Sequence, residues 1–349
     1  MKKKNILGCL LILSPCTMAM QPMDDKSLSS TTGQDGINIS VNNSKVEFNQ
    51  IAVIDTDGLS YGGYTAPNYT NRAGLIIAGI AGQTPTTAGK PNPVAIVGID
   101  SSNADTSLPT INAVIDTDKG TGTNGAFANI ALSFSGNYTG FRIKPFSIYT
   151  ADANNISTIV GSNYTRKSIF DIASTIKLQS GVKELLRIKD NVDIKFIASN
   201  KPTMNIQLGA APQGKMIKFG GAIDSICGTG TGCNFMLVSD YSTSGDPTTA
   251  PIGASFDLQF KATNATTGFR LNSFYAGIEG QSSTEQAGLV FGNTGKTDDF
   301  NLSLNNIKLG NTIGTLDPTV FNGLQNNSIG NVGMIGGSVT NLKMKISGM

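Results

Sequence analysis

The sequence predicts an all-β protein, an elongated body of packed antiparallel sheets built in part from duplicated strand–turn–strand units. Three observations carry this. Short apolar runs are broken throughout by Gly, Asn, Asp and Pro, the residues that turn a chain. Glycine supplies 41 of the 349 residues, glutamate is rare, and no long run repeats with the 3.6-residue period of a helix. The chain also repeats itself. Ile115-Asp116-Thr117-Asp118-Lys119-Gly120-Thr121-Gly122-Thr123 is followed by Leu132-Ser133-Phe134 and by Thr139-Gly140-Phe141-Arg142-Ile143. The same order returns as Ile223-Asp224-Ser225-Ile226-Cys227-Gly228-Thr229-Gly230-Thr231, Leu258-Gln259-Phe260 and Thr267-Gly268-Phe269-Arg270-Leu271. Repetition of this kind marks one supersecondary unit used more than once. A solenoid is the alternative architecture, but the two copies are too unequal in length for a regular one, which favours packed sheets.

The elements read in order as follows. Ile37 to Val41 and Val46 to Ile54 are strands joined by the Asn42-Asn43 turn, and Asp55-Thr56-Asp57-Gly58 closes the second. Leu75 to Ile80 and Val94 to Ile99 are continuous apolar runs separated by a Pro/Thr/Gly loop. Ile111 to Ile115 leads into the first repeat. The loop around 151–163 is the best candidate sub-boundary. Leu186, Ile188, Val192, Ile194 and Phe196 alternate with charged residues about Asp190-Asn191, a hairpin pattern, with a short helix over Val182 to Ile188 as the alternative. Met204, Ile206 and Leu208 alternate, as do Phe300, Leu302 and Leu304, and the glycine-rich tail from Asn326 is expected to be ordered. In the repeats, Leu132 with Phe134 and Leu258 with Phe260 are spaced by two, so each pair points to one face, where Phe141 and Phe269 are expected to join them.

Composition excludes several chemistries. The chain has no histidine, which removes Ser-His-Asp and Cys-His catalysis and every histidine metal site. The absence of tryptophan weakens the case for a sugar-stacking site without removing it, since Tyr and Phe also stack. The formal charge is +2, but without Lys2, Lys3 and Lys4 there are 23 basic residues against 24 acidic, a net of −1. No basic stripe remains, so no nucleic-acid partner is expected.

Those three lysines open a segment with the form of a secretory signal peptide over residues 1–19. Lys2-Lys3-Lys4 is the charged region, Ile6 to Leu13 the apolar region, and Thr17-Met18-Ala19 the small-residue cleavage site. The apolar run is less than half the roughly 20 residues that span a bilayer. Cys9 and Cys16 raise lipidation as a minor reading, disfavoured by the short run before Cys9 and by Pro15 before Cys16. No later segment is apolar enough to cross a membrane as a helix.

Residues 20–36 form a separate segment before the all-β body of 37–349. Within it, Met23-Asp24-Asp25-Lys26-Ser27-Leu28-Ser29-Ser30-Thr31-Thr32-Gly33-Gln34-Asp35-Gly36-Ile37 reads physically as a short acidic turn that stops at Gly33 and enters a strand through Asp35-Gly36. It resembles the mature N-terminal signature of the FilA-like pilus-system proteins, secreted proteins of Gram-negative bacteria. There the segment reads (M/L)-(S/D)-D-x-x-L-S-x-x-T-G-Q-D-G-I after a signal peptide. Thr31-Thr32 stands here where a Val-Thr pair is more usual. The tail Ser328-Ile329-Gly330-Asn331-Val332-Gly333-Met334 is similar more loosely. The resemblance implies export, association with a pilus or the cell surface, and partners among other proteins of such a system. It transfers no catalytic residue.

Among individual residues, Cys227 and Cys233 flank a Gly-Thr-Gly-Thr-Gly run and are the only cysteines beyond the leader, so a local disulfide is expected. Asp55 and Asp57, like Asp116 and Asp118, resemble the start of a calcium loop. Neither run supplies the distant bidentate Glu, so a strand-ending Asx turn is the favoured reading and calcium the alternative. Arg142 and Arg270 hold the same place in the two repeats; the favoured reading is a stem along the sheet with the charge at the rim, and ligand binding is the alternative. Glu279 and Glu285 are too isolated for a glycosidase pair. Gly220-Gly221 and Gly228-Thr229-Gly230 lack the Lys-Ser/Thr of a phosphate loop. The chain is therefore expected to be no enzyme but a secreted structural or adhesive component of a pilus-like surface system. A periplasmic or secreted module binding glycan or calcium is the alternative, and a carboxylate hydrolase ranks last.

Overall fold

The computed structural model describes residues 36–55, 73–120, 125–152, 168–172, 174–240, 252–280, 286–311, 323–324 and 326–347. Residues 1–35, where the leader and most of the signature segment are expected, and most of the 151–163 loop lie outside them. Every element among the described residues is a strand, and every pairing is antiparallel.

Among the described residues the chain makes eight long passes, each broken into shorter strands. Pass 1 is Ile37–Val41 (β1), Val46–Phe48 (β2) and Gln50–Asp55 (β3); pass 2 is Ala73–Ala78 (β4), Val94–Ile99 (β5), Asp105–Thr106 (β6) and Thr110–Asp118 (β7). Pass 3 is Phe127–Ser135 (β8), Gly140–Ile143 (β9) and Phe146–Asp152 (β10). A small hairpin, Phe170–Ile172 (β11) with Ile176–Leu178 (β12), precedes pass 4, which is Val182–Ile188 (β13), Val192–Phe196 (β14) and Thr203–Gly209 (β15). Pass 5 is Ile217–Gly220 (β16), Ala222–Ile226 (β17) and Cys233–Asp240 (β18); pass 6 is Ile252–Ala262 (β19), Phe269–Arg270 (β20) and Phe274–Glu279 (β21). Pass 7 is Gly288–Asn293 (β22) and Phe300–Asn311 (β23), and pass 8 is Gly330–Gly337 (β24) and Lys343–Ile346 (β25).

The smaller of the two main sheets takes one strand from each pass, in the order β1-β7-β8-β15-β16-β21-β22-β25. The larger sheet nearly closes on itself, as a barrel does: its path runs from β2 through β5, β9, β14 and β17 to β19, and returns through β18, β13, β10 and β4 to β3. Its two ends, β2 and β3, are separated only by Asn49. The registers explain this near closure. The outgoing and returning strands are two halves of the same passes, interrupted along a line at Asn49, residues 79–93, Lys144-Pro145, residues 189–191 and residues 227–232. Among the described residues β19 and β23 run unbroken through both halves, paired from Ile252↔Asn311 to Ala262↔Phe300, and β24 follows β23 across the break from Phe300↔Gly337 to Ile307↔Gly330. The molecule is thus an up-and-down succession of eight passes whose sheets share the same chain. The sheets pack at their joint, where Phe134 of β8 meets Phe141 of β9 at 5.6 Å and Phe269 of β20 meets Phe274 of β21 at 5.8 Å.

Two readings of the sequence are corrected here. Val182 to Ile188 is a strand, not a helix. Asp190-Asn191 does not close a hairpin, because β13 and β14 do not pair with each other. β13 lies between β10 and β18, and β14 lies between β9 and β17. The apolar alternation fixes which residues extend, and the neighbouring passes decide whether the chain turns back or continues.

Directly opposed residues share a face, and three apolar rows cross the sheets. In the smaller sheet the row is Ile37–Ile115–Ile130–Ile206–Ile217–Ala276–Phe291–Met344, through all eight passes. In the larger sheet Gly98–Phe141–Ile194–Ile226–Phe260–Leu302–Met334 form one row. Ile51–Ile77–Ile148–Leu186–Leu237–Ala254–Leu309 form the other. Contacts carry the face across the breaks: Phe134 meets Phe141, and Ile143 and Phe146 pack on one cluster with Ile188 and Val192. The opposite face of the smaller sheet is polar, with Ser40 donating to Asn112, Asn112 to Ser135, and Asn205 and Gln207 both to Asn129.

In the larger sheet the β4, β10 and β13 part of that opposite face is covered by the β11–β12 hairpin, and the best-buried core lies there. It holds Ile76, Ala78, Tyr149, Ala151, Ile169, Phe170 and Ile176. Tyr149 is fully buried; its hydroxyl donates to the Gly79 carbonyl at 2.7 Å and accepts from the Ala81 amide at 3.0 Å. The same face carries a buried charged group. The Ser147 hydroxyl donates to Glu184 at 2.6 Å, and Arg187 grips both carboxylate oxygens of Glu184 at 2.9 Å. Each partner is hydrogen-bonded, which is the condition for holding charge away from water.

Candidate assembly edges

A sheet that does not close leaves two outer strands, and here they are pass 1 and pass 8. β1 pairs with β7, β2 with β5 and β3 with β4; at the far side β24 pairs with β23 and β25 with β22. Among the described residues no strand lies on the outer side of either pass. Such an edge is a template for another strand, and soluble proteins usually blunt it with charge, proline or a bulge. β1, Ile-Asn-Ile-Ser-Val, and β24, Gly-Asn-Val-Gly-Met-Ile-Gly-Gly, contain neither charge nor proline.

Exposure is concentrated at the same places. Of the 20 exposed large apolar side chains among the described residues, 13 lie on pass 1 or on residues 326–347. Ile37 is 61% exposed, Met344 50% and Ile335 88%. Charge is confined to the other outer strands, at Glu47, Asp55, Lys343 and Lys345. Scattered exposed leucines are ordinary, whereas apolar side chains gathered on two outer passes are a liability or a contact surface.

The residues singled out in the sequence fall elsewhere. Cys227 and Cys233 form a disulfide with a Cα–Cα distance of 5.3 Å. Around it the chain leaves the register Ile226↔Phe260 and resumes at Cys233↔Leu258, so the bond closes the base of an excursion inside pass 5. Asp55 ends β3, whereas Asp116 and Asp118 lie at the end of β7, in the other sheet; Asp57 lies outside the described residues. Asp116 accepts from the Thr117 amide and Asp118 from the Gly120 amide at 2.6 Å, the Asx-type turn that ends β7. Among the described residues no three His, Cys, Asp or Glu side chains form a group able to hold a metal ion.

The two arginines of the repeat differ. Arg270 is at the rim, bidentate to Asp298 through Nε at 2.8 Å and Nη2 at 2.6 Å. Arg142 is not at the rim: it is 8% exposed, enclosed between Asp193 and Asp105. Hydrogen bonds from Lys144 and Arg142 hold the Asp105 carboxyl below its ordinary range, and Arg270 does the same for Asp298. Glu279 sits between Lys215 and Lys343, whose hydrogen bonds pull its pKa down to about 2. That makes it a structural anion, and Glu285 lies outside the described residues. The buried Glu184–Arg187 pair escaped sequence reading. Its only signal is two opposite charges inside an apolar run, which a solvated strand face displays equally well.

A polar cleft of about 460 Å³ is lined by Lys189, Asp190, Asn234, Asp257, Asn306 and Lys308, and it carries no aromatic ring. Its central carboxylate is occupied: Asp257 accepts from Thr231, Asn234 and Asn306. Among the described residues no helix is long and apolar enough to cross a membrane.

Compared with known proteins, residues 1–89 match the profile of a family of unknown function, DUF6160. No curated protein and no solved structure matches the chain.

Proposed function

We propose that this protein is a secreted structural or adhesive component of a pilus-like cell-surface system, exported by its leader and assembled with other proteins there. The observation that carries the reading is that both outer passes stay unpaired on their outer side among the described residues and carry 13 of the 20 exposed large apolar side chains. One strand on each is uncharged, β1 in the smaller sheet and β24 in the larger, a form suited to lateral assembly and costly in a free monomer. The leader and the FilA-like segment support export and surface association. A sequence without histidine lacks the commonest catalytic base, which favours structure or binding over catalysis as the role.

The test is location. Protease shaving of intact cells should release peptides of this chain, and mechanical shearing should release the chain in high-molecular-weight material. A chain protected from the protease and recovered as a soluble periplasmic monomer would overturn the reading in favour of a periplasmic binding module.

A further inference from the structure

We propose that copies of this chain join edge to edge, with pass 8 of one copy pairing with pass 1 of the next, in an antiparallel register that sets Met344 beside Ile37. The inference rests on the reading of the chain as a structural subunit and names its partner as a second copy.

The geometry favours this pairing for three reasons. First, the described residues make an even number of passes. Pass 1 runs from the smaller sheet into the larger, and pass 8 runs back from the larger into the smaller. A copy carried over in the same orientation therefore presents pass 1 antiparallel to pass 8, as at every junction inside the molecule. The smaller-sheet strands β25 and β1 meet, and β24 meets β2 and β3. Such a contact is heterologous, so it propagates.

Second, the faces match. The apolar row of the smaller sheet begins on Ile37 and ends on Met344, both exposed, and the next copy continues it without a break.

Third, the charges match. Setting Met344 opposite Ile37 puts Lys345 opposite Gly36, and Gly36 in turn lies beside Asp116 by the β1–β7 register. Lys345 and Asp116 share the polar face with only Gly36 between them; in the single copy the Lys345 stem lies across Gly288 towards Gly280, so the pairing exchanges that position for one at the joint. β1 carries no charge, so Lys343 and Lys345 meet no cation on it.

The test uses the purified exported chain. Ile37→Cys and Met344→Cys are combined in one variant and oxidised, and the linked peptides are identified by mass spectrometry. The expected result is a ladder of covalent multimers joined 37 to 344, with neither single variant forming it. A 37–344 link within a monomer means that the sheet closes on itself, and a 37–37 link means a two-fold dimer; either overturns the proposal, as does the absence of any link. Non-covalent assembly supplies a second readout. Ile39→Lys should abolish multimers while leaving the monomer folded. Lys345→Glu should weaken assembly by about threefold, the scale of an exposed ion pair, and Asp116→Lys in the same chain should restore it. Equal assembly in all three variants overturns the proposal. Location separates the two readings: shaved peptides from a chain that forms no 37–344 link reject the edge pairing alone. A periplasmic chain whose purified form does link rejects the surface role alone.

Discussion

Arg142 and Asp193 oppose each other across β9 and β14 and meet through two parallel hydrogen bonds, Nε to Oδ1 at 2.6 Å and Nη2 to Oδ2 at 2.7 Å. Both side chains are buried. Asp193→Ala would leave the guanidinium with Asp105 alone, and breaking a buried pair in this way costs about 3–5 kcal/mol. Chemical denaturation should report that loss. Asp298→Ala removes the partner of the corresponding Arg270, which stays in water, and should cost a small fraction as much. Equal losses would mean that burial does not distinguish the two sites.

Glu279 links stability to acid. Its folded pKa, about 2, lies below the ordinary 4.5, so the folded state holds the carboxylate more strongly than the unfolded chain does. The contribution is complete above pH 4.5 and is lost as the pH falls from there through about 2. Glu279→Gln should therefore lower the denaturation midpoint at neutral pH, and the gap from the parent chain should narrow as the pH is taken down to about 3. A constant gap would show that the two lysines do not act through the charge of this carboxylate.

The Cys227–Cys233 bond closes a short loop that pass 5 leaves outside its ladder. A loop of that size constrains the unfolded chain by about 2 kcal/mol. Cys227→Ser should lower the denaturation midpoint while the β circular-dichroism spectrum persists, and the oxidised parent should show no thiol at these positions when denatured. Loss of all β structure in the variant would mean that the excursion organises the sheet instead of merely leaving it.

Much of the fold is legible because alternation is a local property. Met204, Ile206 and Leu208 lie in β15, and Phe300, Leu302 and Leu304 lie in β23, as their spacing of two predicts. Pairing is not local. Asp190-Asn191 carries turn residues between two alternating runs and still does not reverse the chain, because β10 and β18 flank one side of the break and β9 and β17 the other. The repeat divides in the same way. Gly120 lies between the paired strands β7 and β8, whereas Gly228 and Gly230 lie in the disulfide-closed excursion. Gly140 and Gly268 occupy the same place and are both required, for different reasons: a Cβ at Gly140 would lie 2.3 Å from the Ile194 carbonyl oxygen, and Gly268 has φ +69°. The open edges were the least legible feature, since a strand's place in a sheet is set by its neighbours.

The Leu-x-Phe and Gly-Phe-Arg parts of the repeat are the portion that folds alike. Phe134 meets Phe141 at 5.6 Å and 79°, and Phe260 meets Phe269 at 5.4 Å and 88°, both edge to face. Edge-to-face pairs contribute about 0.5–1.5 kcal/mol beyond the area they bury. Double-mutant cycles to alanine on the two pairs should therefore give similar coupling energies in that range. The single substitutions should differ. Phe269 is buried and also touches Phe274 and Phe300, so Phe269→Ala should cost about 3–5 kcal/mol. Phe141 is half-buried and should cost less. Similar couplings with unequal single losses would mean that the motif is one reused contact set in two environments. Coupling in only one of the pairs would mean that the repetition is confined to the sequence.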